Sequence, residues 1–456
     1  MTTTDQSLAA AFAAGFGGDV FTPGDAGYEE ARTVWNGTID TRPAVVARCH
    51  GAADIAAAVN LTRTAGVPLA VRAGGHSVPG LSSCDGGVVV DLTGMRSVQV
   101  DPERRRAVVD AGATWADLDA AAAAHGLATT GGLISTTGVA GLTLGGGIGW
   151  LQRKYGLACD NLRAAQVVTA EGDLIEADDD LLWGLRGGGG NFGVVSRFEF
   201  DLHPVSIVYG GLLMFPLDRG AEVLRAFREW AASAPDDASL LVAINTAPPE
   251  PFVPPELLGQ KVVALVGCWC GDTDAGAAAI APLRALGPAV DLFGPMPYVA
   301  LQSMLDGGAP YGLRNYFRAG FAADLTDEII DAVLRHGAQL RSPMSQIHFH
   351  QMGGAVSRFG SDTSSFSGRA AGYTYNLIGT WTDAAEDAEH IAQIRDVGAD
   401  LAPLSMPGRY VNFDTDANAD VRGAYGDAIY TRLARLKRQY DPHNLFRRNQ
   451  NVRPAP

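Results

Sequence analysis

His76 stands in the stretch RAGGHSVPG, residues 72–80, among glycine, alanine and serine. Gly74 and Gly75 permit positive φ and carry no side chain to obstruct a close visitor. A histidine so placed can be touched by something large and flat. Taken alone, a tight turn after a strand explains the stretch more simply. In QIHFHQ, His348 and His350 share one face of a strand, because strand side chains alternate with period two. Two histidines so spaced could bind a metal, but no third ligand is evident, and they read as polar groups lining a pocket. Cys268 and Cys270 have no second pair, so a structural zinc is not expected.

Gly188–Gly193, GGGNFG, satisfies G-x-G-x-x-G. A dinucleotide-binding loop of that kind follows a strand and opens a helix. Here a helical pattern precedes and the strand VVSRFEF follows, so nicotinamide binding in that mode is rejected. The chain nevertheless has 56 glycines. Many cluster around His76, around residues 131–149 and at 187–193. Three such clusters closing on one ligand can wrap an extended dinucleotide with backbone N–H groups.

The elements that would position these groups follow from periodicity and caps. AVVAR, ADIAAAVNLTRTAG and PLAVRAG read strand, helix, strand, and GVVVDL and RAVVDAG read as further strands. Thr114 with Asp117 forms a capping-box pattern ahead of the helix WADLDAAAAAHG. AAQVVTAEGDLIEA reads as a hairpin, DDDLLWGLRG as a short helix and VVSRFEFDL as a strand. From Pro204 to about residue 405 long strands mix with amphipathic helices, and APPEPFVPPE interrupts them as a surface loop. After Pro407 come RYVNFDTD, a helix over VRGAYGDAIYTRLARLKRQY and a tail. The layers read as α+β, one part for a cofactor and one for a substrate.

The 456 residues suffice for two or three cores, and 47% hydrophobic against 19% charged residues indicates a globular chain. A net charge of −15 argues against nucleic acid and anionic membrane as partners. Five cysteines make a disulfide framework unexpected, and a cytoplasmic setting is the default.

Four long stretches carry a resemblance: RAGGHSVPG, TTGVAGLTLGGGIGWLQRKYGLACDNL, LLWGLRGGGGNFGVV and the tail YVNFDTD through YDPHNLFRRNQNVRP. Together they resemble the FAD-binding domain shared by vanillyl-alcohol oxidase and p-cresol methylhydroxylase, most closely in its berberine bridge enzyme-like branch. The resemblance implies a two-subdomain FAD-binding domain of the p-cresol methylhydroxylase type from residues 1–204 and 406–456. It also implies an inserted substrate domain over 205–405, an antiparallel sheet covered by helices. The cofactor is then FAD, tethered covalently from His76 to the flavin 8α-methyl group. The second tether of many relatives is a cysteine, which falls on Ile134 here, so a single attachment is expected; Cys159 lies beyond that position. By the same resemblance the cofactor is contacted by Arg72, Ala73, Gly74, Gly75, Ser77, Gly80, Thr136, Gly138, Gly141, Leu142, Gly145, Gly146, Gly149, Val195, Tyr410, Asn412 and Asn449.

An alcohol oxidase of this family needs a group to take the hydroxyl proton. Tyr410 matches the family's tyrosine, although Phe413 replaces a second one. Asp362, ahead of Phe366 and Arg369, lies near the family's acidic position. Thr137 falls beside the flavin where O2 is thought to enter. Tyr316 and Arg318 are expected to face the flavin and, with His348 and His350, to line the substrate pocket. The function implied is a covalent-FAD oxidoreductase that oxidises an alcohol of a sugar or natural product. Hydride goes to flavin N5, and O2 is the acceptor and yields hydrogen peroxide. The alternatives are a flavin-dependent oxygenase of the N5-oxide type and a non-catalytic flavin-binding protein.

Overall fold

A computed structural model describes residues 3–456. The β-branched run Val45–Arg48 forms a parallel ladder with Val88–Asp91, which in turn pairs with Leu69–Arg72. Asp19–Phe21 closes the far edge of this four-stranded sheet. Helix Ala52–Ala65 connects two of the strands and ends at Gly66, whose φ of 66° is the left-handed stop a terminal glycine supplies. A second sheet of five antiparallel strands is ordered Val98–Asp101, Arg106–Asp110, Val194–Asp201, Leu162–Val168, Leu174–Glu176. Thr114 and Asp117 form the expected capping box, with the Asp117 carboxylate accepting from the Thr114 N–H at 2.8 Å.

The largest sheet is antiparallel and has eight strands, all within Ile207–Trp381. Its order is Val290–Asp291, Ile207–Pro216, Lys261–Trp269, Ala238–Thr246, Gln346–Gln351, Tyr373–Trp381, Arg314–Ala322, with Gly294–Pro297 pairing along Ile207–Pro216. Strand alternation divides its residues between two faces. Leu213, Phe215, Leu240, Val242, Val263, Leu265 and Phe349 bury against the amphipathic helices Gly220–Ser233, Thr273–Arg284, Asp327–Ala338 and Asp387–Leu401. The other face looks onto a cavity.

The chain then returns to its first part. Val411, Tyr425, Leu433, Phe446 and Val452 join the same core as Phe12, Val88 and Phe198. Lys437 is fully buried and ties the tail down, donating to Asp441 at 2.7 Å and to the carbonyls of Asn191 and Phe446 at 2.7 and 2.8 Å. The single helix expected over residues 421–440 is two, Val421–Tyr425 and Asp427–Tyr440. Gly426, at φ 79°, ends the first; its helix-breaking conformation outweighed the periodic pattern. No helix of the described residues is long and apolar enough to cross a membrane.

The four-stranded sheet ends on a buried charge. Asp91 is fully buried between Arg72, at 2.7 Å, and Arg48, at 3.0 Å. Burial alone pushes its carboxyl up, but the Arg72 guanidinium and hydrogen bonds from Thr93 outweigh that and hold it below the usual range. A depressed carboxylate stabilises the fold above the ordinary aspartate pKa of about 3.9. That contribution is lost as pH falls from there through the depressed value. Asp91→Asn, which strands two guanidinium groups, is expected to cost about 3–5 kcal/mol. Chemical denaturation checks the loss, and the variant's stability should vary less with pH in the acid range than that of the parent protein.

Candidate functional site

Strand Leu69–Arg72 delivers the loop that carries His76. Arg72 anchors the start of that loop from behind. Its guanidinium holds Asp91 and donates to the carbonyls of Ala31 and Thr33. It is therefore a buried clamp and not, as the sequence led us to expect, a lining residue. Gly75 takes φ 71°. The His76 ring stacks on Trp35 at 5.2 Å and meets the edge of Tyr311 at 5.5 Å, while the Tyr311 hydroxyl donates to the Gly74 carbonyl at 2.7 Å. His76 Nε2 lies 3.1 Å from the Thr136 hydroxyl. Burial lowers the imidazole pKa to about 4, so the ring is neutral at pH 7.

The second loop packs directly on the first. A methyl group added at Gly74 would overlap the backbone nitrogen of Gly138, and one at Gly138 would overlap that of Gly74. Helix Val139–Leu144 follows, and then the glycine run 145–149. The Leu144 carbonyl accepts from the N–H groups of Gly187 and Gly189, which draws in the third glycine cluster. The tail contributes Asn449, whose amide donates to the Gly190 carbonyl at 3.0 Å.

These three loops, the tail and the free face of the eight-stranded sheet enclose one cavity of about 1170 Å³. Pockets for drug-sized ligands span roughly 300–1,000 Å³, so this one accommodates a dinucleotide and a substrate together. Its wall includes Ala73, Gly74, Gly75, His76, Ser77, Thr137, Gly138, Gly141, Leu142, Gly145, Val195, Asn412, Asn449, His348 and His350. Gly141 and Gly190 have open space where a Cβ would stand, the cradle a closely approaching ligand requires.

Several expected residues lie elsewhere. Gly80, Gly146 and Gly149 stand behind the wall. There they permit close packing: a Cβ on them would overlap Ile39, Phe366 and the Gly131 carbonyl respectively. Thr136 touches His76 but is itself solvent-exposed. Tyr410 is fully buried, in a 3₁₀ turn and not in the strand expected. Its hydroxyl accepts from the N–H groups of Gly147 and Ile148, at 3.1 and 3.2 Å, and from the Asn412 amide at 3.0 Å. Burial pushes its pKa up to about 12. It braces the glycine run from outside the cavity. Asp362 is exposed in a separate, shallow surface depression. Arg369 pairs instead with the buried Asp160, at 2.5 Å. Tyr316 and Arg318 sit on the helix side of their strand, held by Asp416. A one-residue change of parity brings Asn315 and Phe317 to the cavity in their place. Trp35, Asn376, Asn245 and Gln346 also belong to the site and were not anticipated.

The sheet face is chemically divided. Leu212, Met214, Leu241, Ala243, Ala264 and Val266 make one half apolar. Asn245, Asn315, Gln346, His348, His350, Asn376 and Thr380 make the other half polar and uncharged. Burial lowers the His348 pKa to about 4 and puts that of His350 well below the usual histidine value.

Residues 43–178 match the family model described as an FAD binding domain, and residues 409–453 match the one described as berberine and berberine like. An FAD-linked oxidoreductase of Dictyostelium discoideum is 32% identical, with 96% of this chain and 95% of that protein covered. The (R)-6-hydroxynicotine oxidase of Paenarthrobacter nicotinovorans is also 32% identical, over 96% of this chain and 97% of its own length. The crystal structure of 6-hydroxy-D-nicotine oxidase from Arthrobacter nicotinovorans superposes with a TM-score of 0.85 at 29% identity. It covers 96% of this chain and 98% of that one.

The bracing role of Tyr410 gives a direct expectation. Tyr410→Phe leaves two buried N–H groups without their acceptor and should destabilise the protein by about 1–3 kcal/mol. Anaerobic substrate reduction should fall far less than the ~10²–10⁴-fold that loss of a general base brings. Melting temperature and stopped-flow reduction read the two effects separately.

Proposed function

Because this chain belongs to the berberine bridge enzyme-like family of FAD-linked oxidoreductases, we propose that it is an FAD-tethered oxidase of an alcohol group on an uncharged small molecule. The observation that carries the reading is the divided sheet face opposite the glycine loops. A wall without Lys, Arg, Asp or Glu beside an apolar wall selects a neutral substrate with a hydrophobic body and one hydroxyl-bearing end. A polyhydroxylated sugar would leave hydroxyls against the apolar half, so a natural-product alcohol fits better.

FAD, when bound, takes up the hydride equivalent that the carbinol carbon loses. The chain's own residues do the rest. Gly74, Gly138, Gly141 and Gly190 keep side chains out of the cofactor's path, and Asn412 and Asn449 present amides to it. Residues 1–204 with 406–456 form the cofactor part and 205–405 the substrate part. His76 makes the covalent bond to the flavin 8α-methyl group. Support comes from its neutral ring, from Thr136 engaging Nε2 so that Nδ1 is the nitrogen left to react, and from the ring's confinement between Trp35 and Tyr311. Cys159 is fully buried, and burial holds its thiol well above the usual range, so it is no second attachment point. O2 is the electron acceptor and hydrogen peroxide the second product. Thr137, on the cavity wall between the two loops, shapes O2 access.

Anaerobic mixing with a panel of aromatic, terpenoid, polyketide and sugar alcohols tests the reading. Bleaching of the flavin band by a natural-product alcohol, followed by peroxide on admission of air, is the expected result. Bleaching by none of them contradicts it. Thr137→Leu should slow reoxidation by O2 while leaving anaerobic reduction nearly intact; equal reoxidation rates remove Thr137 from the O2 path.

A further inference from the structure

Three buried polar atoms on the cavity side of the sheet have no hydrogen-bond partner among the described residues: His350 Nε2, Asn376 Oδ1 and Asn245 Oδ1. His350 and Asn376 are only 4% and 3% exposed. Buried polar atoms in native proteins are almost always paired, so unpaired ones converging on a cavity mark where a ligand completes them.

Of the three, His350 stands nearest the cofactor loops. Its ring centroid is 5.5 Å from that of Phe413. Phe413 ends the turn Val411–Phe413, and Asn412 in that turn donates to the Leu142 carbonyl in the second glycine loop at 3.0 Å. The polar half of the sheet therefore meets the cofactor side at His350. His348, two residues back on the same face, is 5.7 Å away between ring centroids. Its Nε2 donates to Gln346 Oε1 at 2.7 Å, which fixes the Nε2–H tautomer. Asn376 lies directly across from His348 on the neighbouring strand.

The surroundings of His350 are uncharged. The flanking strands place Leu241 and Thr374 opposite it. The turn contributes Phe413 and Tyr410, the latter with its hydroxyl engaged by Gly147 and Ile148. His348 is the one titratable group that acts on it, and no carboxylate does.

We propose that His350 Nε2 accepts the hydroxyl proton of the substrate during oxidation, with Asn376 and His348 positioning the substrate around it. This role rests on the alcohol oxidation proposed above. The O–H bond breaks and its proton goes to Nε2. The carbinol C–H bond breaks and its hydrogen leaves with the electron pair to FAD. The electrons of the O–H bond become the second bond of a carbonyl. O2 then takes the hydride equivalent and the proton as hydrogen peroxide, which returns His350 to its neutral form. A weakly basic imidazole suffices, because a hydroxyl whose carbon is losing hydride becomes strongly acidic.

The test uses the holoenzyme and the alcohol from the panel that reduces it fastest. Wild-type reduction should hold level from pH 8 to below the ordinary histidine pKa of about 6.5, and fall as acid protonates the base. His350→Gln should retain FAD, react about 10²–10⁴-fold more slowly, and lose the acid limb. A variant that reacts as fast as wild type with the same acid limb overturns the assignment. If His350→Gln fails to hold FAD, the wild-type acid limb decides: an imidazole-like ionisation enthalpy supports the role, and a carboxylate-like one overturns it. Wild-type enzyme that no alcohol reduces refutes the oxidation itself, a result distinct from failure of His350 alone.

Discussion

Gly74 and Gly138 touch backbone to backbone, and no other residue type fits at either position. That contact locks the loop bearing His76 to the loop that leads into helix Val139–Leu144. Everything at the cofactor side inherits its placement from it. Trp35 and Tyr311 fix the imidazole from one side, and Thr136, two residues before Gly138, reaches it from the other. The Leu144 carbonyl then gathers the third glycine cluster, and Tyr410 holds the glycine run from behind. Close approach is purchased by omitting side chains, and rigidity is restored by hydrogen bonds from residues distant in the chain.

The opposite wall obeys a different constraint. An eight-stranded sheet with one face packed on helices has only alternate residues free to meet a ligand. Those residues are apolar on one half and neutral polar on the other, and the neutral half carries histidines kept uncharged by burial. A charged substrate would meet no counter-charge on this wall, whereas a hydroxyl meets unpaired acceptors.

Local signals in the sequence identified what local physics decides. The capping box at Thr114, the glycine clusters, the histidine loop and the shared face of His348 and His350 all stand as read. The errors lie where distant partners decide. Tyr316 could lie on either face of its strand; Asp416 and Arg395, about a hundred and eighty residues away respectively, hold it on the helix side. Tyr410 looked catalytic because of its position in a motif, yet its hydroxyl braces amides some 260 residues earlier. Asp362 was linked to Arg369 by proximity in the sequence, while the buried carboxylate that Arg369 needs is Asp160. Asn376 and Asn245 carried no local signal at all, since an asparagine in a strand announces neither its face nor its lack of a partner.

The central claim is that the Gly74–Gly138 contact presents His76 to a flavin and that the flavin is bonded there and nowhere else. Peptide mapping of the purified protein by mass spectrometry tests it most directly. Trypsin releases Ala73–Arg96, containing His76, and Tyr155–Arg163, containing Cys159. The account predicts one flavin on the first peptide and none on the second. Recovery of Ala73–Arg96 without flavin, with free FAD released on denaturation, or a flavin on Tyr155–Arg163, would contradict it.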